Sequence, residues 1–161
     1  MRLAALFGAL LLWAAPAPLY AQSDAWSRSE AAFGDWLTGN GKAVVRITRC
    51  GAAELCGAIV WLRNEALAGR SVTNAQGLPL MGASILEGFQ QAGAEWRNGR
   101  VHALDRAKTY RAKLAAVDAD HLRLQGCYGP ICSAQVWTRV RLGPEGPQPA
   151  GLAQPSRAQK R

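Results

Sequence analysis

Catalytic signatures are missing from this chain. It contains no G-x-S-x-G elbow, no H-E-x-x-H, no P-loop and no G-x-G-x-x-G run, which removes the common routes to a nucleophile, a catalytic zinc or a bound dinucleotide. Histidine is scarce as well. The two present, His102 and His121, stand at metal-ligand spacing neither to each other nor to a cysteine pair. Asp118 and Asp120 read as turn formers and not as a paired acid and base, because Asp bonds its own backbone in turns. No catalytic residue, metal or cofactor is expected.

Long apolar runs are absent beyond the first 21 residues, which leaves no spanning helix further on. Those 21 residues have a charged start at Arg2, the run "LAALFGALLLWAA" and then "PAPLYA" before Gln22. The pattern is that of a secretory signal peptide cut after Ala21, since the apolar run falls short of the roughly 20 residues a membrane span needs. No cysteine lies near the cut to take a lipid. The sequence therefore divides into a signal peptide (1–21), an N-terminal extension (22–32), one folded domain (33–142) and a tail (143–161) whose prolines, glycines and basic end predict disorder. The expected destination is the periplasm or the medium.

Export gives meaning to the four cysteines, Cys50, Cys56, Cys127 and Cys132. Three pairings are possible in principle, but "CGAAELC" and "CYGPIC" each flank turn-like residues. If the flanks are antiparallel strands, Cys50 faces Cys56 and Cys127 faces Cys132 across hairpin mouths, close enough for disulfides worth about 2 kcal/mol each. A four-cysteine zinc site is the rival, disfavoured by the spacings and by an oxidising compartment.

What the chain does have is β-pattern. Segments 42–49, 57–63, 108–117, 120–127 and 133–142 are short, rich in β-branched and aromatic residues, and bounded by Gly, Asn, Asp and Pro. In "TYRAKLA", Tyr110, Ala112 and Leu114 share one face and Arg111 and Lys113 the other; in "HLRLQ", Leu122 and Leu124 oppose His121, Arg123 and Gln125. "DAD", "TGNGK" and "RNG" have hairpin-turn length. The middle, "LPLMGASILEGFQQAGAEWRNGRVHAL", suits either one short helix or two to three strands, and "NEALAGRSVTNAQG" before it reads as a long surface loop of the kind that carries binding function. About eight strands with short hairpins must close or leave edges, which predicts an all-β, up-and-down barrel, with a β-sandwich as the alternative.

"GDWLT", "VVRITRCGAAELCGAIVWL", "GLPLMGASILEGF", the W-x-x-G of Trp96 to Gly99, "KTYRAKL" and "VWTR" resemble, in that order, the motifs of the bacterial exported family called domain of unknown function 2147. The resemblance covers about 33–139 and implies a lipocalin-like β-barrel. It also implies that Gly34 and Trp36 close one end of the barrel, with a basic residue of the last strand lying against the indole: Arg139, beside Trp137, or else Arg141. A guanidinium so placed gains about 0.5–2 kcal/mol. Two departures stand out: Ala103, Leu104 and Ala107 replace the family's Asn-Pro or Asp-Pro step and glycine, and the long loop lacks the acidic, Asn-Pro-containing run.

Two functional readings follow. In one, Trp61, Trp96 and Tyr110 line a cavity for a small apolar or amphipathic ligand, as aromatic walls do in small-ligand pockets. In the other the barrel is solid and its surface acts. The chain carries 19 Lys and Arg against 11 Asp and Glu, a net of +8, and Arg46, Arg111, Lys113 and Arg123 are predicted to face outward. Such a surface suits anionic envelope polymers or lipid headgroups, and nucleic acid is not expected for an exported chain. An internal cavity would favour the first reading, and a packed interior with a continuous basic face the second.

Overall fold

A computed structural model describes residue 24 and residues 27–63, 72–74, 76–104 and 106–150. The strands run β1 (Gly34–Leu37), β2 (Ala43–Cys50), β3 (Glu54–Leu62), β4 (Ser84–Ala92), β5 (Glu95–Ala103), β6 (Lys108–Ala116), β7 (His121–Tyr128), β8 (Ile131–Gly143) and β9 (Gly146–Pro149). Each pairs antiparallel with the next, and β1 also pairs with β8, so the first eight close into a barrel and the sandwich is excluded.

Turn chemistry sets the hairpins. Asn40 Oδ1 accepts the N–H of Lys42 and the Thr38 hydroxyl, and Gly41 takes φ 66, which bends β1 back into β2. Asp118 Oδ1 accepts the N–H groups of Asp120 and His121, both at 2.8 Å, which makes it the turn former its sequence context suggested. The middle stretch is two strands, β4 and β5, turning at Gly93 with φ 65. "RNG", expected as a turn, lies inside β5 instead: the register shifts between Trp96 and Gly99, and Asn98 takes φ 60. The cause is Phe89. A Cβ at Gly99 would fall 2.2 Å from its ring, so the chain bulges where glycine lets that ring sit on the backbone.

Beyond Leu142 the chain was expected to be a disordered tail, yet β9 at Gly146–Pro149 pairs with the end of β8. That hairpin explains two side chains the barrel interior does not. Val44 and Val140 are buried outside the interior cluster, and Trp61, opposite Val44, has the Gly146 backbone beside its indole. The extra hairpin covers an apolar strip on the outer wall. Residues 1–21, expected as a signal peptide, together with Trp26, most of the long loop and the chain after Ala150, lie outside the described residues.

Much of the described interior is closely packed. Trp36, Trp96, Phe89, Ile47, Leu55, Leu86, Leu114 and Leu122 are almost completely excluded from solvent, each worth about 1.5–3 kcal/mol in burial. Inward glycines are seats for these groups: Leu86 and Val45 cover Gly57, Phe89 covers Gly99, and Val101 and Tyr110 cover Gly126.

Candidate functional site

The best-organised polar cluster stands at one end of the barrel. A helical turn at 27–30 leads through Ala31 and Ala32 into β1 and lies across that end. Trp36 Nε1 donates to Ala32 O at 2.8 Å, Trp96 Nε1 donates to Ser29 O at 2.9 Å, and Gln91 Nε2 donates to the Ser29 hydroxyl at 2.7 Å. Both indoles are thus buried with their polar atoms satisfied. Arg139 locks the lid. Its guanidinium lies 4.2 Å from the Trp36 ring centroid and donates to three carbonyls: Ala119 at 2.6 Å, Phe33 at 2.9 Å, and Ala31. Burial draws its pKa below the ordinary arginine value, partly offset by Asp120.

Gly34 is required here for two reasons. Its φ is 125, and an added Cβ would stand 2.7 Å from Arg139 Nη1. Trp137 is buried one turn of the ladder away, opposite Leu122, while Arg141 pairs with Gln148 of β9 and is exposed. The buried Ser29 joins this cluster from the extension that the sequence reading left without a role. A lone serine in a polar stretch carries no signal that an indole will reach it.

The structure does not bring Trp61, Trp96 and Tyr110 together. Trp96 is packed under the lid; Tyr110 is half-buried toward the opposite end, its ring 6.1 Å from that of Tyr128; and Trp61 faces outward under the β8–β9 hairpin. The bulge between Val44 and Val45 sets Trp61 in step with Val44 on the outside and Leu62 with Ala43 inside. Two surface depressions are present. One, of about 290 Å³, is bordered by Glu95, Lys113, Leu114, Ala115, Arg123 and Gln125, and the other, of about 350 Å³, by Gly39, Asn40, Gln135 and Val136.

The outer wall of β5, β6 and β7 collects cations. Arg100 stands directly opposite Arg111, Lys113 opposite Gln125, and Arg123 opposite Ala115, all four cations exposed. Arg100 extends the set named from sequence. Arg46 is separate: it makes a bidentate pair with Asp35 across β1 and β2, at 2.7 and 2.8 Å. The acids near the wall have their own partners, Glu95 with Arg97 at 2.7 Å and Glu87 with His102. His102 Nε2 is 3.0 Å from Glu87 Oε2, off the ideal line of a directed hydrogen bond. That imidazole holds the Glu87 carboxyl below its ordinary value. At Asp118 the backbone N–H of Asp120, then His121, do the same.

The cysteines pair as Cys50–Cys56 and Cys127–Cys132, with none free among the described residues, and the zinc alternative falls. Cys127 and Cys132 are direct cross-strand partners, whereas Cys50 stands opposite Glu54 and reaches Cys56 diagonally.

Comparison with known proteins agrees with this architecture. The lipocalin-family protein HP1028 from Helicobacter pylori superposes with a TM-score of 0.58 at 16% identity, over 67% of this chain and 82% of that one. No curated protein matches the chain. A family model described as "Uncharacterized protein conserved in bacteria (DUF2147)" matches residues 34–139, from the glycine under Arg139 to Arg139 itself. The chain belongs to the DUF2147 family, and its fold is a lipocalin-like, disulfide-linked β-barrel.

Proposed function

We propose that this protein is an exported, non-catalytic barrel with a solid interior that acts through its outer wall, adhering to phosphate-bearing anionic surfaces of the cell envelope. The observation that carries this reading is the division of the molecule. Its inward side chains seat on inward glycines, while Arg100, Arg111, Lys113 and Arg123 stand together outside and outnumber the acids beside them, Glu87 opposite Arg100 and Glu95 bordering the depression with Lys113 and Arg123. Two disulfides suit an oxidising compartment. Each basic residue near an anionic surface contributes about 1 kcal/mol, so four give a weak, salt-sensitive attachment. A ligand carrier would instead need an enclosed apolar space, and the three aromatics that suggested one lie apart.

The test is binding of the oxidised protein to phosphatidylglycerol vesicles and to soluble polyphosphate, at low and high salt. Binding to either at low salt, lost at high salt and in the variant Arg111→Glu with Arg123→Glu, is the expected result. Failure to bind both probes, or equal binding to neutral phosphatidylcholine vesicles, contradicts the proposal.

A further inference from the structure

One edge of the barrel is left open. Arg139 donates its backbone N–H to Asp120 O at 2.8 Å on the β7 side, which fixes the parity of β8. Every second residue turns its N–H and C=O toward β7, and Cys132, Ala134 and Val136 turn theirs the other way. The Cα separation of 4.0 Å between Cys127 and Cys132 agrees, since it belongs to the narrow, non-hydrogen-bonded pair of an antiparallel ladder. On the far edge β1 pairs with Thr138 and Arg139, Gly39 of the following turn lies against Val136 O, and the chain then turns away into β2. Among the described residues no strand pairs with 131–137 there. The depression of about 350 Å³ bordered by Gly39, Asn40, Gln135 and Val136 is the space alongside.

This edge lacks the usual protection. Exposed edges ordinarily carry lysines, prolines or bulges that prevent another strand from joining. Residues 131–137, "ICSAQVW", contain no charge and no proline in a chain with 19 Lys and Arg, and the β7–β8 register is unbroken. All of 131–136 are exposed, Ile131 at 75% and Val136 at 52%.

We infer that the β8 edge is a docking site for the same edge of a second copy of this chain, joined antiparallel about Ser133. Cys132 of one copy then stands opposite Ala134 of the other, twice over. Both backbone groups of each are engaged, giving about four hydrogen bonds. The pairing is self-complementary, because no charge meets a like charge. Arg123 on β7 of one copy is at least three strand spacings, about 14 Å, from Arg123 of the other, beyond the screening length of about 8–10 Å in physiological salt. A two-fold contact of this kind closes on itself, so it yields a dimer and not a filament. The edge is uncharged and pairs with itself about a two-fold axis, which is why a second copy is the occupant.

The inference is independent of the outer-wall reading and is tested without any anionic probe. Sedimentation velocity of the oxidised protein from low to high micromolar concentration should show mass rising toward twice that of the chain. Ala134→Pro removes an N–H that the barrel does not use, at an edge position where proline is tolerated, and should remain a monomer throughout. Ala134→Lys, which places a cation on the seam without touching the backbone, should weaken dimerisation at least about tenfold. Arg111→Glu with Arg123→Glu should dimerise like the parent. A parent that stays monomeric, dimerises unchanged in both Ala134 variants, or grows beyond a dimer overturns the inference.

Discussion

Replacing Arg139 with alanine should loosen the closed end of the barrel more than any other single surface-level change. The side chain makes three hydrogen bonds to carbonyls and lies 4.2 Å from the Trp36 ring centroid. Charge-assisted bonds are worth about 1.5–3 kcal/mol each when buried, and a guanidinium over an indole about 0.5–2 kcal/mol. The group is only partly buried, and water can reach part of what the substitution exposes, so the sum is discounted to about 3 kcal/mol. For a domain of this size that lowers Tm by on the order of 10 °C. Arg139→Lys keeps the charge but cannot reach three divergent carbonyls with one nitrogen, and should lose about 2 kcal/mol. The assay is urea unfolding followed by tryptophan fluorescence, with Cm falling and the slope unchanged. A Tm within about 2 °C of the parent for Arg139→Ala, or a lysine variant equal to the parent, would refute the locking role.

Four further outcomes are expected. Gly99→Ala drives a methyl into the Phe89 ring and should cost about 2–3 kcal/mol, with partial recovery when Phe89→Leu is added; stability equal to the parent would mean the interior has slack. Ala107 holds φ 50, a conformation that favours glycine, so Ala107→Gly should raise stability by about 0.5–1 kcal/mol in the same unfolding assay. Replacing Cys50 and Cys56 together with serine should remove about 2 kcal/mol, and an unchanged melting temperature would sink the stapling role. Glu87 has a lowered pKa beside His102, so its contribution is present at neutral pH and is lost as pH falls through that lowered value. Glu87→Gln should therefore flatten the acid limb of the stability profile, by no more than about 0.5 kcal/mol for so exposed a pair.

The strands that sequence displayed clearly were those with one wet face. β6 and β7 alternate residue by residue, and both cysteine pairs sit at hairpin mouths, so these elements and both bridges were readable from spacing. β4 and β5 were ambiguous, because their alternation is broken by Gly88 and by the bulge at Asn98, whose cause is a ring from the neighbouring strand. Local residues cannot report that. β9 was missed for a similar reason: Gly-Pro-Gln-Pro has the composition of a tail, and the covered strip around Val44 and Trp61 exists only once β8 and β3 are assembled. Trp36 with Arg139 came from resemblance to the family, which placed both residues, but the carbonyls that Arg139 binds belong to turns whose positions no motif fixes. Of the three aromatics named for a ligand wall, Trp61 departs by parity while Trp96 and Tyr110 stay on the inward face. A single bulge moved Trp61 to the outside, and no periodicity rule applied to "GAIVWLR" would have found it.

Native mass spectrometry of the protein, purified gently from cells, tests the solid barrel most directly. Two disulfides remove two hydrogens each, so the account predicts, for monomer and dimer alike, a mass four hydrogens per chain below the reduced value with no small molecule bound. A reproducible, stoichiometric adduct of small-molecule mass that survives mild activation would contradict it.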